Sequence, residues 1–479
     1  LRNVAWKPLH IYALLLIGGL FIRLLYAYHF SDHLFEGDAA YYLHDAKNLL
    51  RGENYLPYWP PALPYLVAVT MKAFGHAEAA FIGMMLLIYV CFSYMLFDLT
   101  KKLLNERLAY LAMCIFAIYP AFIHHSVAPL SQLPAALFLL GTFWSYWHYQ
   151  SMRKNYLLLL MGGFLALLIL TRPSAIFLGF ILSAIFLGSP LLGRHIFPRV
   201  KKLLLVGILP IILIGSWQIK AWKMTGHLLW INEANSKNFF IGNNAYTPLY
   251  KSWWLGSQDE RNNPHFQGYY ELRASIEALP TDTQNRAWSK EAWNHILSRP
   301  DLFLIRALSK VRTFFAFDTY VAGSWWTVNQ GVAIALLLID ASCYIFLGLT
   351  AIWGIFSSAI AERHKMIWFS DNLGEPSRLS NSRRIIPRGI SVIFAREPMI
   401  LGLFILAYAF PYFIAFSHPN YHLPIMPLVA VFSGYFLYGR SRAQLLIFLK
   451  QLNWKCWLAS AIFILIQIEW IVVRFVQIY

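Results

Sequence analysis

The sequence predicts an all-α integral membrane protein of about eleven transmembrane helices, with short amphipathic helices in the loops of one face. Of the 479 residues, 58% are hydrophobic and 17% aromatic, and only 13% are charged. That is far too apolar for a soluble chain of this size. The basic residues, which give a net charge of +17, fall in short segments between apolar runs, as the positive-inside rule requires. They form no continuous basic face, so no nucleic-acid partner is expected.

The apolar runs, each near the roughly 20 residues that cross the hydrocarbon, cover residues 9–28, 80–99, 107–123, 132–149, 156–171, 174–189, 203–222, 330–356, 399–416, 422–439 and 456–475. The 156–171 run is short, and 60–74 reads as a surface helix or a re-entrant piece. The first run follows Arg2 and Lys7 and has no small-residue cleavage site after it, so it reads as a retained signal anchor. Loops carrying Lys101, Lys102 and Arg107, then Arg153 and Lys154, then Arg194, Arg199, Lys201 and Lys202 are assigned to the cytoplasm. So are a run from Arg363 to Arg396 and the group Arg440, Arg442, Lys450 and Lys455. The short loops 124–131 and 417–421 carry no Lys or Arg and are assigned outside. The N-terminus then lies inside and the C-terminus outside. Cys91, Cys114, Cys343 and Cys456 all sit in apolar runs and have no metal-ligand spacing, so they read as small core hydrophobes.

Three regions follow. Residues 1–222 form an N-terminal transmembrane module with an acidic outer loop at 31–78. Residues 223–329 form an outer, aromatic segment that includes Trp253, Trp254, Tyr269, Tyr270, Trp288 and Trp293 and ends in an amphipathic pattern up to Phe314 and Phe315. Residues 330–479 form a C-terminal module with a flexible, basic cytoplasmic loop at 359–398, for which attraction to anionic membrane lipid is the plain explanation.

Asp38 leads the candidates for chemistry. It stands beside Glu36, just after the first span, and opens a helical pattern followed by Pro60-Pro61. A carboxylate there fits a general base on a hydroxyl or an oxygen ligand to a divalent cation. It fits a helix N-cap equally well. Arg172, in Thr171-Arg172-Pro173, is a lone cation on the outer side. It suits phosphate recognition, although snorkelling to the interface is the plainer account. His418 and His422 sit in a polar knot where Pro419 and Pro424 disfavour a regular helix. Gly242-Asn243-Asn244 is turn chemistry first, with amides that could bond a sugar. Lys220 either snorkels or neutralises phosphate. Asp98, Asp340 and Glu469 lie in or near spans, where ionisable groups are functional candidates. There is no Walker loop, no dinucleotide glycine motif and no CxxC.

Taken in order, these motifs resemble the GT-C membrane glycosyltransferases, in particular the bacterial relatives of protein O-mannosyltransferase and aminoarabinose transferase. The matching stretches are Asp38-Ala39-Ala40-Tyr41-Tyr42, Pro60-Pro61-Ala62-Leu63-Pro64, Thr171-Arg172-Pro173, Trp217, Gly242-Asn243-Asn244 and Tyr421-His422-Leu423-Pro424. The resemblance implies transfer of a sugar from a polyprenyl-phosphate carrier to an acceptor hydroxyl or phosphate at the outer face of a bacterial cytoplasmic membrane, with inversion. It implies Asp38 as base and Arg172, Lys220 and His422 at the donor phosphate. It also implies Glu36, Tyr41, Tyr42, Asn243, Asn244, His418 and Tyr421 at the substrates. Membrane lipid, the lipid-linked donor and a protein, lipid or glycan acceptor are the implied partners; a divalent metal stays open. The chain departs from the family at Gln132, where an acid is usual, at Lys220-Ala221 in place of Arg-Asn, and at Asn420 in place of Arg. Those changes bear on donor identity and metal use. A lipid-linked-sugar flippase and a non-catalytic membrane scaffold are the alternatives.

Overall fold

The structure is a computed structural model that describes residues 8–53, 57–75, 77–188, 196–249, 264–371, 397–438 and 453–475. Trp253, Trp254, Arg194 and the basic groups within 372–396 and 439–452 lie outside the described residues. Among the described residues there are nineteen α-helices and no strand. Helix α1 (Pro8–His29) leads into a loop holding α2 (Asp38–Arg51) and α3 (Ala62–Phe74), and α4 (Ala77–Leu103) returns. Next come α5 (Glu106–Ile118), α6 (Pro120–His124), α7 (Gln132–Met152), α8 (Tyr156–Thr171), α9 (Ile176–Gly188) and α10 (Ile196–Thr225). The aromatic segment holds α11 (Ala234–Gly242), α12 (Gln267–Glu277), α13 (Thr281–Ser298), α14 (Pro300–Phe314) and α15 (Tyr320–Trp326). The last four are α16 (Gln330–Asp371), α17 (Glu397–Ile414), α18 (Met426–Leu437) and α19 (Trp454–Phe475).

Five helices, α1, α4, α10, α16 and α19, are long and apolar enough to cross a membrane, and α3, α8, α9 and α17 are shorter apolar helices. Three expectations change. The run at 107–123 is not one helix: Pro120 lacks an N–H and breaks it into α5 and α6. The run at 422–439 becomes helical only at Met426, because Pro419 and Pro424 hold Pro419–Ile425 in a 3₁₀ segment. The basic loop expected from 359 is still helix up to Asp371.

The break at Pro120 explains two ionisable side chains inside the apolar core. Without a proline N–H, the Phe116 carbonyl has no helical partner. Buried Arg23 of α1 donates to it at 2.9 Å, and also to the Ala117 carbonyl at 3.3 Å, the Gly19 carbonyl at 3.0 Å and Ser126 Oγ at 2.8 Å. Its guanidinium lies 3.5 Å from the centre of the Tyr89 ring. The Ala121 N–H, which would have served Ala117, donates instead to Asp340 Oδ1 of α16 at 2.9 Å. Both side chains therefore satisfy backbone groups that hydrocarbon would leave unpaired. Elsewhere Gly354 lets α16 lie directly on α18, since a Cβ there would run into the Phe432 carbonyl. Helices α11–α13 close their own small core of Phe240, Tyr269, Ile276 and Trp288.

Candidate active site

Asp38 is the first residue of α2, not its cap. Gly37 takes the cap position with φ of 58°, and no side chain caps the helix. That φ suits glycine, and it leaves the Asp38 carboxylate free of the capping duty that the sequence kept open. Asp38 is solvent-accessible, yet the surrounding protein desolvates it. Burial raises its carboxyl above the usual range, against the pull of the Arg172 charge. The same carboxylate acts electrostatically on the phenols of Tyr42, Tyr58, Tyr320 and Tyr421.

Arg172 follows the last residue of α8, where Pro173 ends the helix, and its own N–H still closes the last turn onto Leu168 at 2.7 Å. The guanidinium lies 4.9 Å from the centre of the Tyr421 ring. Tyr42, Tyr408 and Tyr412 complete a tyrosine wall around it. Ser174 Oγ donates to Tyr412 Oη at 3.0 Å, and Tyr412 bonds Tyr408 at 3.4 Å. Burial pushes the Tyr421 phenol up to about 12, against the pull of Arg172, so it stays neutral. The Arg172 Nε is buried without a hydrogen-bond partner. A buried guanidinium N–H without a partner is rare enough to need an explanation.

The other predicted residues divide. Tyr42 is buried and bonded to Ser131, and Tyr421 covers Arg172, so both join the Asp38–Arg172 group. Glu36 is exposed and pairs with His33 at 2.9 Å, and Tyr41 is exposed. Lys220 is exposed on α10, with its Nζ 4.8 Å from the centre of the Tyr65 ring. His418 is held by Asn420 at 2.9 Å. His422 is fully buried, its Nδ1 on the Phe314 carbonyl at 3.1 Å and its ring 4.4 Å from that of Tyr344. That bond fixes the proton on Nδ1, so neutral His422 presents only an acceptor at Nε2.

Asn243 and Asn244 are 1% exposed and their amides are used internally. Asn243 Nδ2 donates to the Phe239 and Ile414 carbonyls, each at 3.0 Å, while its Oδ1 accepts from buried Lys310 at 2.8 Å. Asn244 Oδ1 accepts from the N–H groups of Tyr246 and Thr247 at 2.8 and 2.7 Å. Their surroundings are those of a structural turn, with no amide left over for a sugar.

Sequence reasoning missed several groups that the fold adds to the site. His125 is 1% exposed, with neither ring nitrogen hydrogen-bonded. Burial lowers its pKa well below the usual range, with further lowering from His124, Arg172 and His418. Its ring stacks on Tyr320 at 6.1 Å and 13°. Among the described residues no three His, Cys, Asp or Glu side chains converge as a metal site. The neighbour that acts on Asp38 is a cation, Arg172, and Glu36 is turned toward His33.

Residues 59–217 match a known family. Its description is dolichyl-phosphate-mannose-protein mannosyltransferase. The matched stretch contains the Pro60-Pro61, Thr171-Arg172-Pro173 and Trp217 motifs and stops short of Asn243 and Tyr421. Among solved structures, the chain is similar to the Archaeoglobus fulgidus oligosaccharyltransferase. The complex with Zn and sulfate is 16% identical with a TM-score of 0.47, over 94% of this chain and 52% of that one. The apo form is 13% identical with a TM-score of 0.47, over 96% of this chain and 56% of that one. The chain thus spans about half the length of those proteins. No curated protein matches the sequence.

Proposed function

We propose that this chain is a membrane glycosyltransferase that moves a sugar from a polyprenyl-phosphate carrier to an acceptor hydroxyl at the outer face of the membrane. The observation that carries the reading is an uncapped, partly desolvated Asp38 that feels the charge of a half-buried Arg172 whose Nε is buried without a partner. The family match over 59–217 supports the same reaction class.

Asp38 accepts the proton of the acceptor hydroxyl as that oxygen bonds to the sugar C1. The C1–oxygen bond to the phosphate breaks, and the polyprenyl phosphate leaves with the electron pair. Attack opposite the leaving group inverts the anomeric centre. A base whose pKa is raised toward neutral takes up a proton more readily, a contribution of about 10²–10⁴-fold in rate. Arg172 meets the charge growing on the leaving phosphate. Tyr42 and Tyr421 hold the guanidinium in a water-poor wall, where a fixed donor is worth most.

The test is sugar release from a panel of polyprenyl-phosphate sugars by the purified protein in lipid, with a crude envelope extract supplying acceptors. Asp38→Asn is expected to lower turnover by about 10²-fold or more with the folded protein level unchanged. Arg172→Lys keeps the charge but loses the fork and is expected to lower turnover less. Full activity in Asp38→Asn removes the base; no turnover of any donor by wild-type protein removes the reading.

A further inference from the structure

A cavity of about 330 Å³ opens between the loop that precedes α2 and helix α15. Gly37 and Ala39, the chain neighbours of Asp38, form part of its wall. Opposite them stand Tyr320, Gly323 and Ser324 of α15. The wall is braced from behind: Trp325 Nε1 donates to Tyr26 Oη at 2.8 Å, and Tyr26 Oη is hydrogen-bonded to His124 Nδ1 at 2.9 Å. Phe30 stacks on Trp325 at 4.9 Å.

The chemistry of this lining is selective. It contains no Lys or Arg, and its one ionisable acid is Glu36. A phosphate held here would face Glu36 and the nearby Asp38 with no Lys or Arg in the lining to pair it, and His33 is already bound to Glu36; that is costly in a partly desolvated site. The remaining polar groups are His33, which is taken up by Glu36 at 2.9 Å, the hydroxyls of Ser324 and Thr327, the imidazole of His124 and the phenol of Tyr320. Burial pushes that phenol up to about 12, so it remains a neutral donor and acceptor. A flat aromatic face beside a few hydroxyls and one carboxylate suits a ring that carries hydroxyl groups and no charge. The described walls are helices and turns with no strand edge, so they lack the unpaired backbone edge on which an extended peptide adds a strand.

We propose that this cavity binds the acceptor and that the acceptor is a neutral sugar, presented to Asp38 by a hydroxyl group. The assignment of the occupant as acceptor rests on the glycosyltransferase reading; the binding of a neutral sugar does not. Gly323 gives the means to test it. A Cβ built there meets nothing within 4 Å, so Gly323→Leu fills the cavity without a clash in the helix.

The experiment is saturation-transfer NMR on the full chain in nanodiscs with three probes: a set of methyl glycosides, a Ser/Thr-rich peptide and a glucosamine phosphate. Wild-type protein is expected to saturate at least one methyl glycoside, with Gly323→Leu and Glu36→Gln each weakening that signal tenfold or more. Fold is monitored by thermal unfolding of each variant. Stronger binding of the peptide or the phosphate, binding of no glycoside, or glycoside binding indifferent to Gly323→Leu in folded protein would overturn the proposal. Glycoside binding in a protein that turns over no lipid-linked donor would sink the glycosyltransferase reading and leave the sugar site standing.

Discussion

Replacing Arg23 by Leu should be among the most damaging single changes in the membrane core, although Arg23 has no place in the proposed reaction. The substitution leaves the Phe116 and Ala117 carbonyls without a partner, because Pro120 has no N–H and the Ala121 N–H is taken by Asp340. Each buried acceptor left unpaired costs about 1–3 kcal/mol, so the pair costs about 2–6 kcal/mol. Interhelical hydrogen bonds in membrane proteins average nearer 0.6 kcal/mol, which sets a floor of about 1 kcal/mol. Loss of the contact with the Tyr89 ring adds about 0.5–2 kcal/mol. A destabilisation of about 2–5 kcal/mol is expected, measured by SDS-titrated unfolding in micelles. A second substitution isolates the cause. Pro120→Ala restores an N–H to Phe116, so it should recover about 1 kcal/mol in the Arg23→Leu background and less in wild type, a coupling that a double-mutant cycle measures. Arg23→Leu within 0.5 kcal/mol of wild type, or no coupling to residue 120, would refute the account of this break.

Two further outcomes follow from packing and titration. Gly354→Leu should destabilise by more than the usual 1–3 kcal/mol of overpacking, since the Phe432 carbonyl is main chain and cannot swing aside; the same unfolding assay reads it. Burial, aided by Arg306, lowers Lys310 to about 7, against about 10.4 in an unfolded chain. The unfolded state then binds more protons between about pH 7 and 10, so stability should rise with pH across that window and level off below it. Lys310→Met should flatten the slope, and an unchanged slope would assign it to another group.

Much of this molecule is readable from the chain wherever the deciding physics is local. Pro173 ends α8 and so sets Arg172 at a helix terminus, and the five long apolar helices fall on apolar runs of the sequence. Failures arise where two structures share one local signature. Asp beside a helix start looks like a cap until Gly37 is seen to occupy that position with a positive φ. Gly-Asn-Asn reads the same whether its amides face a sugar or, as here, Lys310 and nearby carbonyls. Tyr408 and Tyr412, one turn apart on an apolar helix, look like core residues, and only the approach of Arg172 from α8 gives them another role. His125 precedes α7 and Tyr320 lies near the far end of the aromatic segment, so nothing in the sequence announces that their rings stack.

The two polar side chains at the Pro120 break, Arg23 and Asp340, also impose an order on how the chain is made. Arg23 is synthesised before Phe116 and Ala117 and can claim their carbonyls as soon as α5 enters the bilayer. The Ala121 N–H has no such early partner; Asp340 follows it by 219 residues. For the whole interval of translation between them, the first half of the protein carries an unsettled donor near its centre. A nascent chain arrested before α16 should therefore be a preferred client of insertion chaperones, and release from them should coincide with the arrival of Asp340.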